Sequence, residues 1–505
     1  MAIKRFIATK DTTITNALKS SLSTSGSTSN MGAADSLQVF SIHGQTVTTT
    51  GSNNEKSRIL LYFNASEISS SIATPNTSGT IPSGTAEYYL RMFNVEHHTT
   101  LPKNYKLAVY PLTTPFTEGT GLDMDEFGDL GAANWLTASA YEYPPQQSLW
   151  TVPGGDWDGE EVYTQYFDGG QEDLEINITE LVRQWTGGEL SNYGVVVRLS
   201  GSYETRTQSF YKKMFSSRSS EYFFKRPTIE ARWDSSKGDD TGNFYLSSSL
   251  ADANSNLNGL YLFNYVKGQL QDLPDVIGAP VLTLWSGTLG GGNENALISF
   301  PKGGDNAVNN ASAVLSKRIT TGIYSASFAY TGSATTIIPV WRHITAGNDG
   351  VFGNADDAFV ADLFTGSTIS VKKISPGNYD PTPRYTTSIK NLKDVYSSDE
   401  SPNLRVFIRK SDWNPNVYTK VQATQNSEII ERAYYKVYRA VDNYDVITYG
   451  TGTAQHTKMG YDVSGSYFDF DMSMLESGYM YGFKFMFYYG GAYLEQPETF
   501  KFRVE

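Results

Sequence analysis

In the stretch Tyr481-Gly482-Phe483-Lys484-Phe485-Met486-Phe487 every odd-numbered position is aromatic, and that alternation is the strongest constraint on how the chain folds. Successive side chains of a strand point to opposite faces, so such a segment buries one aromatic face only as β-structure. Tyr467-Phe468-Asp469-Phe470 and Phe500-Lys501-Phe502-Arg503-Val504 repeat the pattern. Shorter β-rich runs, bounded by Gly, Pro or Asn, occupy residues 58–63, 88–93, 106–110, 195–199, 228–233, 259–263, 281–285, 322–328 and 368–373. Helical periodicity is nearly absent. One turn is expected at residues 178–185, with Thr179 as its cap and Gly187-Gly188 as its stop, and a shorter amphipathic piece near residues 309–315.

A chain of 505 residues is long enough for three domains. Two pattern-free stretches divide it: the polar segment 234–240, and residues 375–383, where three prolines make an extended linker. The expected domains are therefore 1–235, 241–374 and 384–505. Strands at sandwich-like spacing put the chain in the all-β class, and the last two domains have the size of immunoglobulin-like β-sandwiches. Aromatic residues make up 13% of the chain, too many for disorder.

The net charge of −13 repels phosphate backbones and argues against nucleic acid as a partner. The run from Arg218 to Arg232 holds four cations among three aromatics and reads more simply as a strand than as a binding stripe. With no cysteine, the chain has no disulfide, thiolate metal site or cysteine nucleophile. No apolar stretch has the length of a membrane span, and the start lacks the apolar core of a secretory signal. The expectation is synthesis in a cytosol without membrane insertion.

Residues 6–233 carry a series of pieces in a fixed order. Asp11-Thr12-Thr13-Ile14 is followed by Asn30-Met31-Gly32 and Leu37-Gln38-Val39. Val109-Tyr110-Pro111-Leu112, Phe116-Thr117-Glu118-Gly119 and Gly154-Gly155-Asp156-Trp157 come next. The segment 176–185, Tyr193-Gly194-Val195-Val196-Val197, Ser216-Ser217-Arg218 and Arg226-Pro227-Thr228-Ile229 complete the set. In this order they resemble the DNRLRE-type domain, found in bacterial surface proteins and phage particles, and the opening is similar to structural proteins of marine tailed phages. The resemblance covers under half of the chain. It implies a jelly-roll-like β-sandwich ahead of the two immunoglobulin-like ones. It also implies a virion location, a non-enzymatic structural role in neck, tail, baseplate or fibre, and other virion proteins or copies of the chain as partners. The alternative is a carbohydrate-binding adhesin that grips a host-surface glycan.

Several residues are weighed for chemistry. Asp349, Asn354, Asp356 and Asp357 crowd oxygen donors into one Gly-containing loop and offer a Ca²⁺ site, though a polar turn has the same composition. Trp135 and Trp150 offer an exposed platform for stacking a glycan, whereas Trp157 and Trp185 lie in framework pieces and are expected to be buried. Asp123, Asp125, Glu126 and Asp129, with Glu160 and Glu161, contain the carboxylates a glycosidase needs, but nothing fixes their separation. His97 and His98 are adjacent, so on a strand they face opposite sides. No nucleophile elbow, zinc-protease motif or phosphate loop occurs, and the expected protein is not an enzyme.

Overall fold

The structure is a computed structural model of the full chain. It describes residues 2–47, 51–73, 79–125, 131–141, 146–160, 162–248, 250, 256–274, 280–286, 302–303, 313–345, 358–373, 383–413, 417 and 427–505. The chain forms two compact units. The first comprises Met1–Asp234 with Gly450–Thr457 and Ser473–Ser477; the second comprises Ser235–Tyr449, Lys458–Met472 and Gly478–Glu505. The sequence break after Trp233 coincides with the first boundary. The expected second and third domains lie in one unit.

Unit 1 is built from β1 (Ile3–Ile7), β2 (Lys10–Thr15), β3 (Ser36–Val47), β4 (Gly51–Tyr62), β5 (Glu87–Met92), β6 (Tyr105–Pro111), β7 (Thr137–Tyr141), β8 (Gln146–Leu149), β9 (Tyr163–Phe167), β10 (Leu174–Asn177), β11 (Val195–Leu199), β12 (Phe210–Ser216) and β13 (Thr228–Arg232). A four-stranded sheet runs β1-β13-β5-β10, and a seven-stranded sheet runs β12-β3-β4-β11-β6-β9 with β2 beside β4. The chain passes repeatedly from one sheet to the other, giving an interleaved antiparallel sandwich. Ile59, Leu61, Val195 and Val197 point into the core between the sheets, with Phe6, Leu90 and Ile229 opposite them. Helix α2 (Thr179–Gly187) occupies the expected place. Its cap differs: Thr179 is the first helical residue, and Asn177 Oδ1 accepts from its N–H at 3.0 Å and from its hydroxyl at 2.6 Å. Short helices α1 (Ala65–Ser71) and α3 (Gly201–Glu204) gave no sequence signal, being only seven and four residues long.

Unit 2 holds two sandwiches. The first contains β14 (Asn258–Phe263), the hairpin β15 (Tyr265–Val266) and β16 (Gln269–Leu270), β17 (Val281–Trp285), β18 (Lys302–Gly303), β19 (Val314–Leu315), β20 (Lys317–Thr320), β21 (Ile323–Ala329), β22 (Thr336–Thr345), β23 (Ala358–Thr365) and β24 (Ile369–Ser370). Strands β14-β21-β18, with β20 on β21, face β19-β17-β22-β23, with β24 on β22. The amphipathic helix expected near 309–315 is not formed where the structure describes it: Val314 and Leu315 pair with β17 instead.

The last sandwich contains β25 (Tyr385–Ile389), β26 (Val395–Tyr396), β27 (Asn403–Lys410), β28 (Ala433–Arg439), β29 (Tyr444–Ile447), β30 (Gly460–Asp462), β31 (Gly465–Asp469), β32 (Met480–Tyr489), β33 (Ala492–Glu495) and β34 (Phe500–Val504). Its sheets, β25-β27-β31-β30 against β26-β34-β32-β28-β29, reproduce the A-B-E-D and G-F-C arrangement of immunoglobulin folds. The preceding sandwich follows the same plan. The all-β expectation therefore holds, with immunoglobulin-like topology in both sandwiches of unit 2.

Alternation in β32 works as the sequence implies: Tyr481, Phe483, Phe485 and Phe487 are buried. Phe483 stacks on Phe502 at 4.7 Å and meets Phe468 and Phe470 edge-on at 5.3 Å. The strand turns into β33 through Gly490 and Gly491, both at positive φ, as a two-residue primed hairpin requires.

Segment 234–240 is not the free linker its composition suggests. Tyr461 of β30 donates its N–H to Lys237 O at 2.9 Å and accepts from Asp239 N at 3.1 Å. Its hydroxyl donates to Asp240 Oδ1 at 2.8 Å, while Gly259 N donates to the other oxygen at 2.7 Å. Polar residues here satisfy a sheet edge rather than water. The second expected linker, 375–383, lies outside the described residues except for Pro383.

Replacing Phe483 by Ala removes the ring on which the aromatic stack converges. We expect a loss of about 3–5 kcal/mol in the unfolding of unit 2, read by urea denaturation followed by tyrosine absorbance.

Candidate functional site

Parity along two adjacent strands sets up a buried charged site on the outer face of the seven-stranded sheet. Leu60 and Val196 point away from the inter-sheet core, and Arg58 and Arg198 share their face. An exposed sheet face needs no cover, but this one is buried beneath the excursion from Leu112 to Trp157. Leu112, Phe116, Ala133, Trp135 and Trp150 pack there on Ile14, Leu60 and Val196.

Glu204, at the end of α3, meets both arginines. Arg58 Nε and Nη2 donate to its two oxygens at 2.9 and 3.0 Å, and Arg198 Nη2 donates to Oε2. Lys56 Nζ stands 3.9 Å from the same oxygen. The remaining Arg58 nitrogen, Nη1, donates to Gly154 O at 2.7 Å. One carboxylate thus faces several cations, and the indoles supply further negative potential: Arg58 lies 4.8 Å from Trp135 and 4.7 Å from Trp157, and Arg198 lies 4.6 Å from Trp157. Burial lowers the Arg198 and Lys56 pKa values, opposed by Glu204. Gly154 has φ of +101°, and a side chain there would strike Arg58 Nη1 and Trp135, so the close approach requires glycine.

This arrangement overturns the glycan platform. Trp135 and Trp150 are 7% and 4% exposed, and Trp150 Nε1 donates to Asn134 O at 2.8 Å. Their rings are the core of the excursion. Trp185 is buried as expected, and Trp157 is half-buried under its two guanidiniums.

A second cluster lies at the entry to β2. Asp11 Oδ2 accepts from Arg218 N at 2.6 Å, and Asp11 N donates to Glu118 Oε1 at 2.8 Å. Arg218 closes the ring with Nε and Nη2 on the two Glu118 oxygens at 2.5 and 2.6 Å. Asp11 Oδ1 is buried with no hydrogen-bond partner. Burial raises the Asp11 pKa to about 7; the Arg218 amide opposes this and the Glu118 charge adds to it. Beside it, the buried Asn30 donates to Glu118 O and Ala133 O and accepts from Gly32 N and Gly121 N. The pieces around Asp11, Asn30, Glu118 and Arg218, far apart in sequence, meet here.

On the outer side of the four-stranded sheet the balance is reversed. Burial pushes the Glu230 carboxyl up, but Arg5, Arg91 and Arg232 outweigh it and hold it well below the usual range. Arg5 and Arg232 bond it at 2.8 and 2.6 Å, and Arg91 at 3.2 Å. His456, in the same unit, is pushed down to about 4, first by burial and then by Arg232. Lys213, fully buried on β12, donates to Asn94 Oδ1, Gly170 O and Glu172 O, with burial lowering its pKa to about 8.

Asp349, Asn354, Asp356 and Asp357 all lie outside the described residues, as do Glu126, Asp129 and Glu161. Asp125 Oδ1 accepts from Ser20 N, and Asp123 Oδ1 from Asp125 N, so these carboxylates brace a turn. His97 bonds Lys212 O and Thr99 Oγ1. Among the described residues no group of three His, Asp or Glu is placed to hold a metal ion, and no helix is long and apolar enough to cross a membrane.

No protein-family model matches the chain, and no characterised protein matches it in sequence. Among solved structures it is similar to the fibronectin(III)-like modules of Clostridium thermocellum CbhA, at 12% identity and a TM-score of 0.14, over 54% of this chain and 92% of that one. E. coli alpha-2-macroglobulin matches at 7% identity and a TM-score of 0.16, over 99% of this chain and 26% of that one. The chain thus spans about a quarter of the macroglobulin. Neither likeness adds to the fold, which rests on the strand order given above.

Two outcomes follow. Glu204→Gln leaves two buried guanidiniums without their counter-charge and should cost about 3–5 kcal/mol of unit 1 stability, read by tryptophan fluorescence in urea. Asp11 titrates in the opposite sense from a salt-bridged acid. Its raised folded pKa stabilises fully below the unfolded value of 3.8, and that contribution is lost as pH rises to about 7. Asp11→Asn should therefore flatten the decline in unit 1 stability between those values, a difference on the order of 2–4 kcal/mol. Equal pH slopes in the two proteins would count against the assignment.

Proposed function

We propose that this chain is a non-enzymatic structural component of a tailed-phage virion, in neck, tail, baseplate or fibre, acting by protein–protein assembly with other virion proteins or copies of itself. The observation that carries the reading is how unit 1 uses its side chains. Glu204, Glu230, Glu118 and Lys213 have their hydrogen-bonding atoms committed to tying segments of the fold together. On the excursion over the seven-stranded sheet, by contrast, Leu149 is 63% and Val152 59% exposed, and Leu136, whose carbonyl accepts from Trp150 N, is also exposed. Buried charge fastens; exposed apolar surface docks. The resemblance of residues 6–233 to DNRLRE-type domains supports the same setting.

Quantitative mass spectrometry of phage particles purified from a producing lysate is the direct test. The chain should be present at a fixed copy number per particle and survive a high-salt wash. Its absence from particles, together with saturable binding of a host-surface glycan by the purified chain, would replace this reading with the adhesin.

A further inference from the structure

Among the described residues of unit 1, Arg58, Arg198 and Lys213 are the buried cations. The two arginines share Glu204. Lys213 has no carboxylate within ion-pair distance among the described residues; Asp173 and Glu172 act on it from farther off. Its Nζ meets a primary amide instead, Asn94 Oδ1 at 2.6 Å, and two backbone carbonyls, Gly170 O at 3.0 Å and Glu172 O at 2.7 Å. The rings of Phe167 and Phe215 stand over it, 5.3 and 4.9 Å away. An ammonium is costly in such a place. Burial accordingly lowers the Lys213 pKa to about 8, which brings the neutral, nucleophilic amine within reach near neutral pH.

Strand register brings the amine and the amide together. Asn94, just past β5 of the four-stranded sheet, is bridged to Phe215 of β12, which ends the seven-stranded sheet. On either side Ser216 N donates to Phe93 O at 3.0 Å and Val95 N to Met214 O at 3.1 Å. Lys213 is the diagonal neighbour of Asn94 on that face, although 119 residues separate them in the chain. A neutral amine has two hydrogens and one lone pair. With Gly170 O and Glu172 O accepting the hydrogens, the lone pair is turned towards Asn94, whose amide carbon lies at most about 1.2 Å farther off than Oδ1. Two polar atoms in the same pocket, Glu172 Oε2 and Tyr105 Oη, are buried with no hydrogen-bond partner. Tyr105 stacks on Phe167 at 5.2 Å, and the Glu172 charge acts on both Tyr105 and Lys213. Burial pushes the Glu172 carboxyl up, but backbone amides, Gly169 N at 2.6 Å among them, outweigh it and hold it below the usual range.

We propose that Lys213 and Asn94 join in an intramolecular isopeptide bond, with Glu172 carrying the proton, so that β12 and the segment leaving β5 are linked covalently. Nζ of the neutral lysine attacks Cγ of Asn94, and the new C–N bond forms as the Cγ–Nδ2 bond breaks. Glu172 accepts one proton from Nζ and returns it to the departing nitrogen, which leaves as ammonia. Asn94 is only half-buried, so that exit is open. The other Nζ hydrogen stays on the new amide. Nothing is oxidised or reduced, and no further reactant is consumed. The fold supplies what an uncatalysed amide exchange lacks, two reactants held in contact out of water. The product replaces a buried cation that has no ion-pair partner by a neutral amide. This bond is independent of the assembly reading above and ties the two sheets of unit 1 together whatever the chain assembles with.

The test takes the full chain, Lys213→Arg and Glu172→Gln, incubates each in the folded state, and reads intact mass and the peptides released after denaturation and proteolysis. The parent should weigh one ammonia less than its sequence and yield a branched peptide that joins the segments around Asn94 and Lys213. Lys213→Arg should keep its full mass. Glu172→Gln retains an oxygen for Gly169 N and should fold, as tryptophan fluorescence will report, yet link at least about a hundredfold more slowly. A folded parent that stays at full mass overturns the proposal, and so does ammonia lost without the branched peptide. Linking of Glu172→Gln at the parent's rate overturns the assignment of Glu172 as proton carrier. A linked chain that is absent from phage particles keeps the bond and loses the assembly reading.

Discussion

One carboxylate underlies everything on the outer face of the seven-stranded sheet. Glu204 accepts from Arg58 and Arg198, and those guanidiniums in turn support the indoles of Trp135 and Trp157. Without that anion the face would carry two desolvated cations and could not be covered by an apolar excursion. With it, a sandwich that needs one buried face acquires a second, and β11 is buried along its whole length, Arg198 included. The stabilising interaction is therefore local, but its consequence is architectural: the described part of the excursion between β6 and β9 becomes a third layer. Leu136, Leu149 and Val152 stand exposed because that layer has an outer side of its own.

Burial alone does not decide the state of the charged groups. Asp11 and Glu230 are both almost inaccessible, yet their carboxyl groups move in opposite directions. Three guanidiniums around Glu230 exceed its desolvation penalty. Asp11 has a backbone amide and one arginine already claimed by Glu118, whose charge works against it. Strand geometry produces the difference. Register sets Arg5 opposite Glu230 across β1 and β13 and Arg91 diagonal to it across β5, whereas Asp11 sits where three loop and strand entries converge.

The same geometry explains what the sequence could tell. Strands were legible because period-two alternation is a local property, and the aromatic face of β32 lies where parity puts it. The two apolar runs containing Arg58 and Arg198 also held a clue, since an arginine inside a strand of that kind must find a counter-charge. Glu204 gave none: Arg198 is only six residues away, but Arg58, the partner that makes the pair bidentate, is 146 residues away. Trp135 and Trp150 misled for a related reason: an indole in a Gly- and Pro-rich segment reads as exposed unless the face beneath it is known to be apolar. Segment 234–240 misled because polar residues that satisfy a sheet edge and polar residues that meet water have the same composition. Three-dimensional pairing, not composition, separates the two.

Both sandwiches of unit 2 divide their last strand in the same way. In the C-terminal one, β33 pairs with the far end of β32 and β34 with its near end; in the other, β23 and β24 share β22 likewise. The second half is then covered by a parallel neighbour, β26 on β34, and Tyr245 against Lys372 beyond β24. The first half has no such neighbour among the described residues. In the C-terminal sandwich that half is short, and its Glu495 is held by Lys436 and Lys484 at 3.2 and 3.0 Å. Tyr493 also lies 4.8 Å from Tyr488 across the hairpin, so its exposed face is already partly used. In the other sandwich the equivalent half is twice as long and carries one neutralised charge. Two sandwiches of one plan thus differ at the position where the plan leaves an edge open: β33 is short, regular and charged, whereas β23 is longer and is interrupted by two register shifts against β22.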